Sequence, residues 1–579
     1  MLLSMNRVYI ALAALVLACT TSHAIAIPAP TMVVNSTADS TLNDGLCTLR
    51  EAILSTISKA PSGNMPGECA AGSATLSLIG FNIPGTDAGC VGTPKLCTIK
   101  PATALPFMTQ RVFIDGYSQP GSSQNTQAVG DNAVILIELD GSNSNPSLQL
   151  EGAGSSSSTI RGLAISHLAP IGIIIHSSST NDAIIGNFIG TNAAGTVSSG
   201  AGNAMTVDSC DGAIIGGTVP SVRNVLGGAG ASVFIADSNN ALIQGNYVGV
   251  DRTGSAILSP PQQGIQINGA SNNTLIGGAT AGAGNVIGSW VAHGIFLGGT
   301  GSNNRVQGNK IGTDATGTVR LGGGGAHAVG YIGAGTGNKI GGDAPGEGNL
   351  IAGASSNGIL LGGSSTDLLV QGNLIGPDVS GALPLGNGTD GIMVFSGGGV
   401  IGGATPGAAN RIAFNGANGV DIPNGATGLA INGNAIYANG ALGISLTGSG
   451  IPTPNDPGDA DSGSNQLQNY PVIGAVTVSP NTTVHVSGSL NSATSTIFRL
   501  EFFANANCDD AGNGEGKIFI GFANVTTSPN DVAFGPLTFA VPADRHVITA
   551  TATDPNGNTS EFSACGTQDT IFSDGLEGN

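Results

Sequence analysis

Short apolar runs separated by Gly, Asn and Ser fill the middle of this chain, and one phrase recurs among them: Asn, any residue, then Ile, Val or Leu. It starts at Asn187, Asn224, Asn246, Asn285, Asn309, Asn349, Asn373, Asn410 and Asn434. A larger unit, Ile-Gly-Gly, starts at Ile215, Ile276, Ile340 and Ile401, in steps of 61, 64 and 61 residues. Fixed-period self-similarity is typical of repeat architectures. The pattern predicts short strands stacked as coils of a parallel β-solenoid.

Side-chain alternation assigns each position of the phrase a direction. The third residue should point inward, the middle residue outward, and the Asn inward at a corner. A column of buried Asn can hydrogen-bond along itself, and a preceding Gly supplies the backbone conformation that a sharp corner needs. At roughly 20 residues per coil, residues 130–450 would hold about 15 coils in a rod of about 70 Å.

The first 26 residues are typical of a secretory signal peptide. Arg7 is their one charged residue, an apolar run follows from Val8 to Cys19, and Ala-Ile-Ala ending at Ala26 suits signal peptidase. The run is short for a membrane span. An alternative is a lipoprotein signal with a lipid on Cys19. Both interpretations predict an exported protein, secreted or at the cell surface, without a membrane span.

The charge balance narrows the choice of partners. The net charge is -19, and removing Arg7 with the leader makes it -20. This acidity argues against nucleic acid and anionic membranes as partners.

Cysteine usage agrees with an oxidising compartment. We predict disulfide bonds between Cys47 and Cys69, Cys90 and Cys97, and Cys508 and Cys565, with Cys210 left over. Connectivity does not follow from sequence alone. A metal site is the alternative, although no Cys-x-x-Cys pair or His cluster supports it.

Residues 47–58 form the clearest predicted helix. Thr48 and Glu51 match a capping box, and Leu49, Ala52, Ile53 and Ile57 fall on one face. A solenoid exposes its core at its first coil, so this amphipathic helix is predicted to cap that end.

The same segment, Cys-Thr-Leu-Arg-Glu-Ala-Ile at 47–53, resembles the motif that opens the exported bacterial CSLREA-domain proteins, with Thr where Ser is usual. Residues 80–85, 104–106 and 114–121 and the Gly-Asn-x-Ile-Gly repeats are also similar to that family. The resemblance implies a right-handed parallel β-helix of the pectin-lyase-like superfold. It supplies no catalytic residues.

Composition then divides the chain. We expect an N-terminal cap with the first coils at 27–129, the β-helix at 130–450 and an Asp/Pro-rich linker at 451–469. Alternating strands at 470–567 predict an immunoglobulin-like β-sandwich, followed by a tail at 568–579. The predicted fold class is therefore all-β.

Two fragments suggest an enzyme. His293-Gly294 and Thr389-Asp390-Gly391 resemble parts of a polygalacturonase site, but in reversed order and without its paired Asp or its Arg-Ile-Lys segment. The same slot before Gly-Ile or its equivalent holds Gln263, Asn357, Asn418 and Leu442. Hydrolysis needs two nearby carboxylates, and Glu347 is the one Glu between residues 160 and 450. A structural role is the simpler interpretation.

A lyase would instead need a base beside an acidic calcium site. The candidate bases and acids are Arg305, Lys310, Lys339 and Arg411 with Asp314 or Asp378. No spacing singles them out.

Acidic turns offer calcium sites of their own. Turns at Asn192, Asp251, Asp314 and Asp378 precede a Gly, but Asx-turns explain them equally well. The stronger candidate is Asp456, Asp459 and Asp461 with Asn465, against a solvated acidic linker as the alternative. A second acidic loop holds Asp509, Asp510 and Glu515. Calcium is the one cofactor considered.

Sugar binding without catalysis would use outward aromatic rings and amides. The candidates are Trp290, Phe296, Tyr331 and Tyr247, with internal packing as the alternative.

Our leading hypothesis is a non-catalytic binding or adhesion module for a polysaccharide or cell-surface glycan. One alternative is a polysaccharide lyase or hydrolase, and another is a structural spacer. The oligomeric state is not determined by these patterns.

Overall fold

The structure is a computed structural model that describes residues 30–144, 147–322, 325–479, 482–509 and 513–567. The signal peptide, Cys19, Asp510 and the C-terminal tail lie outside the described residues. Within the described part, no helix has the length and apolar character needed to cross a membrane.

Three long sheets wind into a right-handed parallel β-helix, as predicted. Sheet A comprises Met32–Val34, Ser77–Phe81, Val112–Asp115, Thr159–Arg161, Ala183–Ile185, Ile214–Gly216, Leu242–Gln244, Leu275–Gly277, Arg305–Gln307, Lys339–Gly341, Leu369–Gln371, Val400–Gly402 and Ala430–Asn432. Sheet B comprises Cys90–Val91, Leu96–Ile99, Ile137–Asp140, Leu163–Ser166, Phe188–Ile189, Val225–Leu226, Tyr247–Val248, Val286–Ile287, Lys310–Ile311, Leu350–Ile351, Leu374–Ile375, Arg411–Ala413 and Ala435–Tyr437. Sheet C comprises Leu148–Glu151, Ile171–His176, Asn203–Asp208, Ala231–Ala236, Gln263–Asn268, His293–Leu297, His327–Tyr331, Ile359–Leu361, Ile392–Val394, Val420–Asp421 and Ile444–Ser445.

The predicted coil count is wrong. Sheet C has 11 strands, so residues 130–450 form about 11 coils rather than about 15, with a length near 50 Å. Long connections account for the difference. In alternate coils a hairpin follows the sheet B strand, closed by bridges such as Thr191 to Ser198 and Val250 to Ile257. These hairpins lengthen the coil without adding a strand.

The predicted Asn column is present as a continuous hydrogen-bonded ladder. Asn285, for example, donates from its backbone N–H and its Nδ2 to Oδ1 of Asn309, at 3.1 and 2.9 Å. Asn309 donates in the same way to Asn349. The backbone donors of this ladder therefore point toward the C-terminal end. Gly308, at φ +66, precedes Asn309, and a Cβ there would lie 2.4 Å from the carbonyl oxygen of Gly278.

The middle position of the phrase points out of the β-helix core, as predicted, but it is not always exposed to solvent. Phe188 and Val225 are fully buried, and Tyr247 is 3 % exposed. They pack in a second hydrophobic layer outside sheet B, which also contains Ala133 and Ile135 from an earlier segment. The hairpins and the 117–135 segment supply this cover, which the repeat pattern does not encode.

The helix spans Leu49–Ser58 and begins with the predicted capping box. The Thr48 side chain accepts from the Glu51 N–H at 3.2 Å, and Glu51 Oε2 accepts from the Thr48 N–H at 2.9 Å. Leu49 and Ile53 are buried in the core of the first coils, as the predicted apolar face requires. The structure contains disulfide bonds joining the three predicted pairs: Cys47–Cys69, Cys90–Cys97 and Cys508–Cys565. Cys210 is a buried free thiol.

A β-sandwich follows the β-helix. One antiparallel sheet contains Val472–Ser479, Thr483–Leu490 and Val532–Ala540, and the other contains Ile518–Thr526, Ile497–Asn505 and Val547–Thr553. Phe498, Leu500 and Phe502 are fully buried between the sheets.

The sandwich closes the C-terminal end of the β-helix. A second, shorter ladder consists of Asn387, Asn415 and Asn439. Glu515 accepts from the N–H and Nδ2 of Asn439, each at 3.1 Å, in the place that another Asn would take in this second ladder. Glu501 accepts from the Gly433 N–H at 2.7 Å, and Glu561 accepts from the Leu446 N–H at 2.9 Å. Three carboxylates of the sandwich thus take up donors that the last coils expose.

Candidate functional site

The outer face of sheet C collects most of the polar and aromatic groups that sequence reasoning singled out. One column of outward positions runs across neighbouring strands in register. It contains Asn203, Ala231, Gln263, His293 and His327. We call these residues the first column. A second column, three residues further along each strand, contains Thr206, Phe234, Gln266, Phe296, Gly330, Leu360 and Met393.

The centre of this face is built around His293. Its Nδ1 lies 3.2 Å from Oε1 of Gln263, and its ring centre lies 5.5 Å from that of His327 and 4.9 Å from that of Phe296. The ring extends over Gly330 of the next strand, where a Cβ would lie 2.3 Å from His293 Cδ2. Glycine at 330 therefore leaves room for the imidazole to lie across the sheet.

Both imidazoles are neutral near pH 7. Burial, together with the neighbouring His327, lowers the pKa of His293 to about 4. Burial also lowers the pKa of His327, whose Nδ1 has no hydrogen-bond partner among the described residues. The face thus presents uncharged hydrogen-bonding groups beside half-buried apolar side chains. Sequence reasoning found His293 but missed His327, because Ala-Val follows His327 in place of Gly-Ile.

The first column continues past His327 as a structural ladder. Oδ1 of Asn357 accepts from the Asp390 N–H at 3.2 Å, and Oδ1 of Asp390 accepts from the Asn418 N–H at 2.9 Å. Asp390 is only 4 % exposed. His293 and Asp390 therefore share a column, but they lie three strands apart in sheet C. The Asp390 carboxylate is already engaged by the Asn418 backbone N–H.

A second carboxylate, missed by the sequence analysis, lies near Asp390. Asp421 occupies the second column one strand further, and burial followed by the charge of Asp390 raises its pKa to about 6. Asp421 is 4 % exposed, and its Oδ1 is buried without a partner among the described residues. Because both carboxyl groups are covered, this pair is not placed to reach a polymer on the surface.

Three of the four aromatic candidates for sugar contact are wrong. Trp290 is fully buried, and Tyr331 and Tyr247 are each 3 % exposed. Trp290 fills a corner of the core against Gly294 and Gly312. Phe296 alone of the four lies half-exposed on the outer face.

The repeated acidic turns are Asx-turns. Oδ1 of Asp314 accepts from the N–H groups of Gly317, Thr318 and Val319 at 3.0–3.1 Å. Burial raises the pKa of Asp314, but these bonds and the one from Thr316 outweigh it and hold the pKa below its usual value. Asn192 makes the equivalent bond to the Thr196 N–H, which an amide can do as well as a carboxylate.

The proposed lyase bases are dispersed. Arg305 and Lys339 are neighbours in sheet A, whereas Lys310 and Arg411 lie in sheet B. Lys310 donates to the carbonyl oxygen of Ala315, and Arg411 donates to that of Gly381 at 2.9 Å.

The candidate calcium centre does converge in space. Asp456, Asp459 and Asp461 bring carboxylate oxygens within 4.8 Å of one another. Burial and the charge of Asp456 raise the pKa of Asp461. The two oxygens of Asp459 already accept from the Asn469 N–H at 2.9 Å and the Ser492 hydroxyl at 2.6 Å. Asn465, the fourth predicted ligand, is buried and donates to carbonyl oxygens of Leu429 and Thr559. The three carboxylates alone remain candidates for a hard cation such as calcium.

Comparison with known proteins found likenesses among solved structures. No protein-family model and no curated protein matches the chain. The crystal structure of the tailspike protein gp49 from Pseudomonas phage LKA1 aligns over 81 % of this chain and 88 % of its own, at 9 % identity and a TM-score of 0.29. Full-length tailspike protein 2 from Escherichia coli O157:H7 bacteriophage CAB120 aligns over 86 % of this chain and 64 % of its own, at 12 % identity and a TM-score of 0.22.

Proposed function

We propose that this protein is an exported β-helix that binds an extended, uncharged polysaccharide along the outer face of sheet C, without catalysis. The observation that carries the proposal is the cluster of Gln263, His293, His327 and Phe296. It combines neutral donors and acceptors with an apolar ring, the combination that recognises sugar hydroxyls and C–H faces.

The geometry of the face favours a polymer over a small molecule. Strands repeat about every 4.8 Å along the rod. Polar and apolar side chains recur at that step across the two columns. A regular chain can therefore repeat the same contact from coil to coil, and many weak contacts add by avidity. The disulfide bonds suit an oxidising compartment, which supports a secreted or cell-surface location.

The test is binding of the full chain to immobilised neutral polysaccharides. The double variant His293→Ala, Phe296→Ala should weaken binding by about tenfold or more, the loss expected for about 1.4 kcal/mol. The matched control is Ile214→Ala, Leu242→Ala, which alters two outward apolar residues in register on sheet A. Equal loss in both variants, or no binding by the unaltered chain, would refute the proposal.

The competing hypotheses predict other results. A lyase or hydrolase predicts new chain ends from a polysaccharide, lost with Asp390→Asn or His293→Ala. A spacer predicts that deleting a whole unit of about 62 residues leaves function unchanged. Neither has a specific structural observation in its favour.

Calcium binding at Asp456, Asp459 and Asp461 stays a prediction. A ligand that binds the folded state raises the melting temperature. Adding calcium to the unaltered chain should therefore raise it, and Asp459→Asn with Asp461→Asn should remove the effect. An unchanged melting temperature with and without calcium would refute the site.

A further inference from the structure

A groove between the β-helix and the sandwich gathers positive charge in an otherwise acidic protein. The chain has 17 Lys and Arg against 36 Asp and Glu. Three of those cations nevertheless approach one another from separate segments: Arg411 from sheet B, Lys517 from the start of a sandwich strand, and Arg545 from a sandwich loop. We call this surface the junction groove.

Aromatic rings form the floor at the cationic end of the groove. The Lys517 ammonium lies 4.5 Å from the ring centre of Tyr437, and Phe414 packs edge-on to Tyr437 at 5.8 Å. Arg411 Nη1 and the Tyr437 hydroxyl both donate to the carbonyl oxygen of Gly381, at 2.9 and 3.3 Å. These bonds to one carbonyl oxygen hold the guanidinium and the ring side by side.

Two of the three cations have no salt bridge among the described residues. Among the described residues, neither Arg411 nor Lys517 forms a salt bridge. Arg545 pairs at 3.6 Å with Asp544, whose side chain is 73 % exposed. Burial, then repulsion by Arg545 and Arg411, lowers the pKa of Lys517, and Asp544 only partly opposes this. An anion bound among these groups would relieve the repulsion.

A cavity lies beside the same sandwich strand. Lys517 immediately precedes the strand Ile518–Thr526, and Phe519 is the second residue of that strand. Phe519 lines a cavity of about 290 Å³ together with Pro406, Ala409, Gly433, Arg499 and Glu501. Phe519 is 38 % exposed and Phe522 is 51 % exposed, and the Arg499 guanidinium lies 3.7 Å from the centre of the Phe522 ring. The junction groove therefore combines cations with the exposed ring of Phe519, which is two residues from Lys517 in the chain.

We infer that the junction groove binds a carboxylate-bearing saccharide, such as a uronic-acid unit of an acidic polysaccharide. The carboxylate pairs with Lys517 and Arg545, and the nearby charge of Arg411 adds to the attraction. The sugar ring packs against Phe519 and the cavity beside it. This site is separate from sheet C, so an acidic and a neutral glycan would occupy different surfaces of one molecule.

The experiment compares a polyuronate with a neutral polysaccharide of similar length on the full chain. Lys517→Gln with Arg545→Gln should weaken polyuronate binding about tenfold or more and reduce its salt dependence, since each lost contact is charge-assisted. The matched control is Lys339→Gln with Arg305→Gln on sheet A, which removes the same charge from another surface. Equal weakening in both variants would overturn the site, because it would reflect net charge alone.

Three further measurements keep the inference separate from the proposed function. Phe519→Ala should weaken polyuronate binding without altering its salt dependence. Full competition by inorganic sulfate or phosphate at the concentration of the free uronic acid would overturn the saccharide assignment in favour of a simple anion site. His293→Ala with Phe296→Ala should leave polyuronate binding intact. The sheet C site and the junction groove can therefore be refuted independently of each other. Circular dichroism confirms that each variant is folded.

Discussion

The two ends of the β-helix are closed by different kinds of contact. At the N-terminal end, the helix Leu49–Ser58 covers the first coils with apolar side chains such as Ile53, and a disulfide bond anchors the segment. At the C-terminal end, carboxylates of the sandwich accept hydrogen bonds from the backbone and side chains of the last coils. The N-terminal end is therefore closed by the burial of apolar side chains, and the C-terminal end is closed by hydrogen-bond acceptors.

The polarity of the Asn ladder explains why the C-terminal closure takes this form. In the long ladder, Asn187 accepts from the Leu163 N–H of the preceding coil and gives its own backbone N–H to Asn224 of the following coil. The shorter ladder runs the same way, since Asn415 gives its backbone N–H to Asn439. The last coil is therefore left with donors. An ionised carboxylate offers only acceptors, which suits it to terminate such a ladder. A stacked column of Asn amides thus has a direction, with unpaired donors at one end, much as an α-helix does.

The largest expected loss of stability is at the N-terminal end, which is closed by apolar burial. Ile53→Ala removes a fully buried side chain, and such truncations cost about 2–5 kcal/mol. Faster hydrogen exchange in the first coils would show it, since solenoids open locally. The control is Leu54→Ala in the same helix, at a side chain that is 39 % exposed. Equal effects of the two changes would mean that the helix does not close the core.

At the polar end, Glu515→Ala leaves the donors of Ala438 and Asn439 without an acceptor. A buried unsatisfied group costs about 1–3 kcal/mol. Denaturant unfolding should show this loss, while Glu515→Gln keeps a carbonyl acceptor and should cost less. If the glutamine variant were as unstable as the alanine variant, the closure would depend on charge rather than on the acceptor.

The polar end should also be the one that responds to pH. Burial raises the pKa of Glu515 to about 7 from 4.5, and burial raises those of Glu501 and Glu561 as well. A carboxyl group whose pKa is higher in the folded state stabilises the fold fully at a pH below its pKa in the unfolded chain. This contribution is lost as the pH rises through its pKa in the folded state. Between pH 4.5 and 7, stability should fall by on the order of 2 kcal/mol from Glu515.

Glu515→Gln should flatten that dependence in a denaturant titration. At the N-terminal end the shifts oppose one another, because burial raises the pKa of Glu51 whereas hydrogen bonding lowers that of Glu68. Hydrogen exchange should therefore depend less on pH in the first coils than in the last coils. An equally steep dependence in both would contradict this difference between the two ends.

The smallest effect is expected at the helix N-terminus. Thr48→Ala removes the hydroxyl that accepts from the Glu51 N–H and should cost about 1 kcal/mol. Thr48→Ser keeps the hydroxyl and should restore most of the melting temperature. A loss as large as that of Ile53→Ala would mean that the capping box, rather than apolar burial, holds this end closed.

Local patterns predicted the features that depend on neighbours in sequence. The capping box of Thr48 and Glu51 is confirmed because it is built within a single turn. The buried Asn column follows from a repeat in which each coil presents the same residue at the same corner. The short separation of Cys90 and Cys97 limits their partners in a similar way.

Predictions about surfaces were less successful. The middle residues Phe188 and Tyr247 are covered by the segment around Ala133, which lies far away in sequence. Trp290 is buried at a corner because a glycine-rich connection packs against it. His327 joins His293 only through strand register. In each case the deciding contact comes from another coil or an insertion between coils.

By itself, the sequence determined that this protein winds into parallel coils. Its regularly repeated Asn and aliphatic residues are all buried when successive coils stack in register. It also determined the capping helix, whose signals lie within a few residues of each other. The tertiary structure alone decided that Glu501, Glu515 and Glu561 seal the last coils and that Arg411, Lys517 and Arg545 meet in one groove. Those contacts join the β-helix to sandwich segments roughly 70 to 135 residues away. The physical reason is that no local periodicity specifies where a second domain docks.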